Sequence, residues 1–208
     1  MSEKYYTLYV EGIADVVFFK QYIQHCFGIT VPDERIVYLE GWTNLKGISA
    51  LQRMHSTTDN GGVNLVILDA DTDFEARRND VLAWKRQNGV DFELFLLPNN
   101  KDAGALEDLL ENIINPNNQP IFDCWGHYEQ ELVQLDIPGR TPPPLTTPAK
   151  KTKIYGYLEA LLGETRSQKE LIKEANRNYE TPLHWNLEAE YLEPLKAFLE
   201  NNIIQEAK

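Results

Sequence analysis

The chain has 208 residues, of which 42% are hydrophobic, which is enough for one folded domain with a substantial core. Its formal net charge of -12 disfavours a protein that binds nucleic acid through a generally basic surface. The two cysteines have no motif spacing, the N-terminus has no signal-peptide pattern, and no apolar run approaches the roughly 20 residues of a membrane helix. We therefore expect a cytoplasmic protein with reduced thiols and no membrane segment.

The first half of the chain has the pattern of alternating strands and helices. Runs of branched and aromatic residues predict four strands, at residues 5–10, 35–39, 65–68 and 92–97. Apolar residues at helical spacing predict helices at residues 13–27, 45–55 and 74–87, and from about residue 105. Such alternation is typical of a parallel α/β sheet with helices on both faces. We expect a mostly parallel four-stranded sheet flanked by helices.

The second half of the chain predicts helices separated by a connector. A helix is predicted at residues 122–135, and the proline-rich residues 137–149 have no periodic apolar face. Three helices are predicted after them, at residues 150–162, 166–176 and 187–204. We therefore expect an α/β domain over residues 1–136, a connector over 137–149, and a helical C-terminal extension over 150–208 that packs on the same domain.

Carboxylates follow the predicted strands. Glu11 and Glu40 follow the first two, Asp69 and Asp71 follow the central strand in the sequence LVILDADTD, and Glu107 closes the loop after the fourth. Because the carboxyl ends of parallel strands meet at one edge of the sheet, these side chains should lie close together. Carboxylates held together repel one another, and a hard divalent cation relieves that repulsion. The pattern predicts a magnesium-type site, with a solvated acidic turn as the alternative interpretation.

Three short motifs lie at the predicted strand ends of the first half of the chain. YVEGIADVVFF at residues 9–19 is similar to the EGxxD element of the TOPRIM family, and VILDAD at residues 66–71 is similar to the DxD element of that family. GALE at residues 104–107 resembles a G-x-small-x-E block of the OLD-type nucleases, which contain a TOPRIM domain. The resemblance covers residues 5 to about 114, and it implies a TOPRIM-like, Rossmann-like fold.

The resemblance also implies roles for the acidic residues of these motifs. Glu11 would act as a metal ligand or as a general acid or base. Asp69 and Asp71 would hold Mg²⁺ or Mn²⁺, and two such cations can stabilise the attacking and leaving oxygens of a phosphodiester. Asp15 and Glu107 would complete a second metal position. For Asp15 a structural role is the alternative, because a carboxylate in the first turn of a helix is favoured by the helix dipole.

Two lysines near the start of the C-terminal extension are further catalytic candidates. Lys151 and Lys153 lie in KKTK, where the resemblance implies a lysine of the nuclease site. They also belong to a basic stretch, since residues 140–177 contain eight basic and four acidic residues. The implied activity is metal-dependent hydrolysis or nucleotidyl transfer on nucleic acid, with DNA favoured over RNA as the substrate.

Two other functions are compatible with the motifs. Phosphohydrolases of the haloacid dehalogenase type also have D-x-D at a strand end, and Asp69 would then be the nucleophile, although Asp73 stands where those enzymes have Thr or Val. A non-catalytic binding module of the same fold would keep the carboxylates without using them in chemistry. Its partner surface would be the proline-rich connector and the C-terminal helices.

Overall fold

A parallel four-stranded sheet forms the centre of the fold. The structure is a computed structural model that describes residues 2–140 and 145–205, and these also contain a small antiparallel sheet. The parallel sheet has the order β3-β2-β4-β5, and the antiparallel sheet pairs β1 with β6. The strands are β1 (Ser2–Glu3), β2 (Tyr6–Val10), β3 (Ile36–Tyr38), β4 (Val63–Asp69), β5 (Glu93–Leu97) and β6 (Ile204–Gln205).

Helices lie between the strands and after the last parallel strand, which confirms the predicted α/β class with a helical C-terminal part. The arrangement is consistent with a Rossmann-like fold. The helices are α1 (Ile13–Phe27), α2 (Ile48–Asp59), α3 (Phe74–Asn88), α4 (Leu106–Asn112), α5 (Gln119–Gln134), α6 (Lys150–Leu162), α7 (Arg166–Ile172) and α8 (Glu193–Ile203).

Both faces of the parallel sheet are buried, because successive residues of a strand point to opposite faces. In β2, Leu8 packs in a core that contains Phe18 of α1, whereas Tyr9 packs in a core that contains Met54 of α2 and Trp84 of α3. The burial of all five residues of β2 follows from this arrangement. The apolar runs of the sequence are therefore central strands covered by helices on each side.

The C-terminal helices belong to the core on the α1 side of the sheet. Ile154 of α6, Ile172 of α7 and Leu199 of α8 are buried in the same apolar cluster as Phe18. The pairing of β6 with β1 joins this region to the start of the chain. The predicted connector lies partly outside the described residues, and its described positions, 137–140 and 145–149, contain no helix or strand.

The two last predicted helices differ from the structure. The helix expected over residues 166–176 ends at Ile172 and is followed by a 3-10 turn at Glu174–Asn176. The helix expected over residues 187–204 begins only at Glu193, after a 3-10 turn at Glu190–Leu192. At its expected start, the Glu188 N–H donates to Asn186 Oδ1 at 3.1 Å, and this local bond competes with the helical one.

None of the helices in residues 2–140 and 145–205 combines the length and the apolar character needed to cross a bilayer.

Candidate acidic site at the carboxyl edge of the sheet

A cavity of about 190 Å³ lies at the carboxyl edge of the sheet, next to the first turns of α1 and α4. The strands β2 and β4 are neighbours there, and Val10 is in register with Ile67. Glu11 follows Val10 directly and Asp69 comes two residues after Ile67, so both emerge at this edge of the sheet. Five carboxylates and one lysine line this cavity, which we call the acidic pocket: Glu11, Asp15, Asp69, Glu107, Glu174 and Lys151.

Glu11 joins the ends of two neighbouring strands. The Asp69 N–H donates to Glu11 Oε1 at 3.0 Å, and the Trp42 N–H donates to Glu11 Oε2 at 3.2 Å. Burial raises the pKa of the Glu11 carboxyl, and these hydrogen bonds together with the charge of Arg77 oppose the rise. The carboxylate is thus held in one orientation by backbone groups on both sides.

Of the two carboxylate oxygens of Asp15, one accepts a hydrogen bond and the other does not. The Gly12 N–H donates to Asp15 Oδ2 at 2.9 Å, across the first turn of α1. A Cβ at position 12 would lie 2.8 Å from this oxygen, so glycine permits the contact. Asp15 Oδ1 is buried and has no hydrogen-bond partner among the described residues. Burial, with Glu107 and Glu11 adding to it, raises the pKa of Asp15 to about 7.

Asp69 lies at the end of β4 and contacts the start of α4. The Leu106 N–H donates to Asp69 Oδ1 at 3.2 Å. Burial, with the neighbouring charges of Asp15, Glu11 and Glu107 adding to it, raises the pKa of Asp69 to about 8. The structure therefore brings four of the predicted site residues within electrostatic reach of one another.

Asp71, a fifth predicted ligand, lies outside the acidic pocket. Its backbone is in the left-handed region (φ 53°), and its N–H donates to the Gly104 carbonyl at 3.0 Å. Its side chain forms an ion pair with Arg77 of α3 and is 55% exposed. The nearby Asp73 is the N-cap of α3, because its Oδ1 accepts the Ala76 N–H at 3.0 Å. The DADTD sequence therefore contributes one carboxylate, that of Asp69, to the acidic pocket.

The two candidate lysines of α6 have different surroundings. Lys151 lines the acidic pocket, and its Nζ lies 2.5 Å from Glu174 Oε1. This hydrogen bond raises the pKa of the Lys151 ammonium. Lys153 does not line the pocket, and its Nζ lies 2.9 Å from Glu111 Oε2 and 4.9 Å from the centre of the Phe122 ring. Residues that are two positions apart on a helix lie about 200° apart around its axis, so Lys151 and Lys153 point to different sides of α6.

Glu174 is the one carboxylate of the acidic pocket that the sequence motifs do not indicate. It lies in the 3-10 turn after α7 and reaches the pocket because this turn packs along α1. No spacing links it to the motifs, which all lie before residue 108. A charged residue within a basic stretch is the only signal in the sequence, and such residues are usually solvated.

The donor set of the acidic pocket fits a hard divalent cation. Mg²⁺ and Mn²⁺ prefer carboxylate oxygens, and Asp15 Oδ1 is a buried acceptor that lacks a donor. In the described part of the chain, no three Asp, Glu, His or Cys side chains are arranged to hold a metal ion as they stand. Coordination would therefore require rotation of side chains, and the residues that would hold the cation are Asp15, Asp69 and Glu107, together with Glu11.

Comparison with known proteins relates the chain to one family. No curated protein and no solved structure matches it. A family model described as "Protein of unknown function (DUF3226)" matches residues 5–203, which is nearly the whole chain. The protein therefore belongs to the DUF3226 family.

Proposed function

We propose that this protein is a TOPRIM-like enzyme that cleaves phosphodiester bonds of nucleic acid with Mg²⁺ or Mn²⁺. The observation that carries the proposal is the cluster of buried carboxylates at one sheet edge, in which Asp15 Oδ1 has no donor among the described residues. Buried carboxylates in such proximity repel one another when they are charged, and a divalent cation relieves that repulsion. The order of the EGxxD, DxD and GALE motifs along the chain supports the same proposal.

The side chains of the acidic pocket have different proposed roles. Asp15, Asp69 and Glu107 would bind the cation, which when bound polarises phosphate oxygens and lowers the pKa of water. Glu11 is oriented by two backbone N–H groups, as a ligand or a general base must be. The Lys151 ammonium on the pocket wall is available for a phosphate oxygen once Glu174 releases it.

Basic side chains beside the acidic pocket support an anionic substrate despite the net charge of -12. Trp42, whose N–H contacts Glu11, has Lys46 Nζ 3.9 Å and Arg77 Cζ 5.2 Å from its ring centre. Together with Lys151, the side chains of Lys46 and Arg77 concentrate positive charge near the pocket. They are suited to a few contacts with phosphates of a nucleic-acid strand. We propose DNA as the first substrate to test, and RNA as the second.

A second candidate function is a non-catalytic binding module. One observation favours it: both carboxylate oxygens of Glu11 accept backbone hydrogen bonds, which is how a purely structural carboxylate would be arranged. The third possibility, a nucleophilic Asp69, has less support. Its Oδ1 accepts a hydrogen bond from Leu106, and burial with neighbouring carboxylates raises its pKa to about 8, which favours the protonated form over the nucleophilic one.

A cleavage assay tests the proposed function. Single-stranded, duplex and nicked DNA, and RNA, are incubated with the protein and Mg²⁺, Mn²⁺ or EDTA. We expect metal-dependent cleavage that falls by about 100-fold or more in Glu11→Gln and Asp15→Asn, because each removes a carboxylate proposed to bind the cation or to transfer a proton.

Glu40→Gln is the matched control for these variants. Glu40 also follows a parallel strand, but it is exposed and does not line the acidic pocket. Its variant should keep the wild-type rate. Cleavage that persists in both Glu11→Gln and Asp15→Asn would refute the proposed active site. Metal binding without cleavage of any substrate would favour the binding module.

A further inference from the structure

A second cavity, of about 120 Å³, is lined by residues of α6, α7 and the segment 177–185. It shares no lining residue with the acidic pocket. We infer that this cavity, which we call the Arg177 cavity, is a binding site for a small oxyanion held by Arg177 and Trp185. The inference does not depend on the proposed nuclease function.

Arg177 carries a buried charge whose hydrogen bonds are incomplete. Arg177 is 2% exposed, and its Nε donates to the Ile172 carbonyl at 3.0 Å. Nη1 and Nη2 have no partner, and no carboxylate forms an ion pair with them, within residues 2–140 and 145–205. The guanidinium carbon lies 4.7 Å from the centre of the Tyr155 ring. A buried charge without a paired carboxylate is unfavourable, so the free donors of this guanidinium favour an anionic partner.

Two other buried donors near Arg177 also lack acceptors. They are the Tyr179 hydroxyl and Trp185 Nε1, neither of which has a partner in the described residues. The two rings pack together with centres 5.6 Å apart. Burial raises the pKa of Tyr179 to about 12, with the charges of Asp15 and Glu107 adding to it, and the charge and close approach of the Arg177 guanidinium oppose the rise, so the hydroxyl keeps its proton. Because guanidinium and indole N–H groups only donate, this cluster selects a ligand that accepts.

The charge and size of the Arg177 cavity define the class of ligand. A water molecule would provide acceptors but no negative charge, whereas an oxyanion provides both. Since one water takes about 30 Å³, the cavity of about 120 Å³ admits a phosphate, a sulfate or a small carboxylate and excludes a nucleotide. Leu158 and Leu162 form an apolar wall of the cavity, while Leu171, which is 47% exposed, borders the solvent.

Anion titrations of the full chain test the inference. Sodium phosphate, sodium sulfate and sodium acetate are each titrated in EDTA, against sodium chloride at matched ionic strength, by calorimetry and thermal unfolding. We expect a saturable rise in melting temperature with at least one oxyanion. A response to phosphate or sulfate identifies a tetrahedral ligand, and a response to acetate identifies a carboxylate. Arg177→Met should weaken binding by about 10- to 100-fold, because it removes charge-assisted hydrogen bonds.

Two further variants make the outcome decisive. Leu162→Trp fills the Arg177 cavity while it leaves Arg177 in place, and it should abolish the response even where Arg177→Met fails to fold. Lys151→Ala removes the cation of the acidic pocket and should leave the response unchanged. The inference is overturned where the wild type shows no saturable response to any of the three oxyanions. It is also overturned where Leu162→Trp keeps the response or Lys151→Ala loses it.

Discussion

At Asp69, burial and three neighbouring carboxylates all disfavour the charged form, and they raise its pKa to about 8. Asp69→Asn should therefore raise the melting temperature of the metal-free protein. The amide can still accept the Leu106 N–H while the repulsion is removed. A gain on the order of 1 kcal/mol corresponds to about 2–4 °C for a chain of this size. The same variant should lose stabilisation by added Mg²⁺, because binding to the folded state is weakened.

Differential scanning calorimetry with and without Mg²⁺ measures both effects, and Glu40→Gln is again the control. An Asp69→Asn variant that keeps the full response to Mg²⁺ would remove this residue from the cation site.

The pH dependence of stability follows from the two carboxyls whose pKa values are raised most. In the folded chain the pKa of Asp15 is about 7 and that of Asp69 about 8, above their ordinary value of about 3.8. Between these values the folded state binds more protons than the unfolded state, so the free energy of unfolding decreases as pH rises. We expect the metal-free protein to lose stability between about pH 4 and pH 8.

Thermal unfolding at intervals of pH in EDTA measures this loss. The double variant Asp15→Asn, Asp69→Asn should show a flatter profile, and Mg²⁺ should restore stability at pH 8. A profile of the double variant as steep as that of the wild type would place the titrating groups elsewhere.

The residues of the acidic pocket show what local patterns can and cannot predict. Glu11 and Asp69 were predictable because strand ends converge at one edge of a parallel sheet. The position of Asp71 outside the pocket was not predictable, because its left-handed backbone and its ion pair with Arg77 depend on the turn after β4 and on α3. Glu174 was not, because it reaches the pocket through packing along α1 of a segment distant in sequence. Arg177, which follows that segment directly, is buried as well.

The two lysine candidates lie on different sides of the same helix, α6. Lys151→Ala should reduce cleavage by about tenfold or more, because its ammonium lines the acidic pocket. Lys153→Ala should leave cleavage unchanged and instead lower stability by about 1 kcal/mol or less, through loss of its contacts with Glu111 and Phe122. Cleavage rates and melting temperatures of both variants test this difference. Equal loss of cleavage in both would contradict the assignment of Lys151 alone to the pocket.

At the level of elements, the periodicity of the sequence predicted the buried strands and helices better than the two-residue strands β1 and β6. The strand predicted at residues 5–10 is β2 at Tyr6–Val10, and the helix predicted at 13–27 is α1 without change. These elements carry strong apolar patterns that the core preserves. The pairing of β1 with β6 was not predictable, because two-residue strands have no period and depend on contacts between the chain ends.

At the scale of the whole molecule, the C-terminal helices complete one of the two cores, the one on the α1 face of the sheet. Ile154, Ile172 and Leu199 are buried in the same cluster as residues of β2 and α1. A chain truncated to residues 1–136 would expose that face of the sheet. We expect it to lack a cooperative unfolding transition and to aggregate, as measured by circular dichroism and size-exclusion chromatography. A cooperative, monomeric truncated chain would show that the helical extension is dispensable for folding.

The central claim is that the acidic pocket binds a divalent cation, and Mn²⁺ binding measured by electron paramagnetic resonance tests it most directly. Free Mn²⁺ is titrated with the wild type, with the double variant Asp15→Asn, Asp69→Asn, and with Asp71→Asn, whose carboxylate lies outside the acidic pocket. We predict saturable binding to the wild type, binding to Asp71→Asn within about threefold of the wild type, and loss of at least about tenfold in affinity in the double variant. Wild-type protein that leaves Mn²⁺ free, or a double variant that binds it as tightly, would contradict the account.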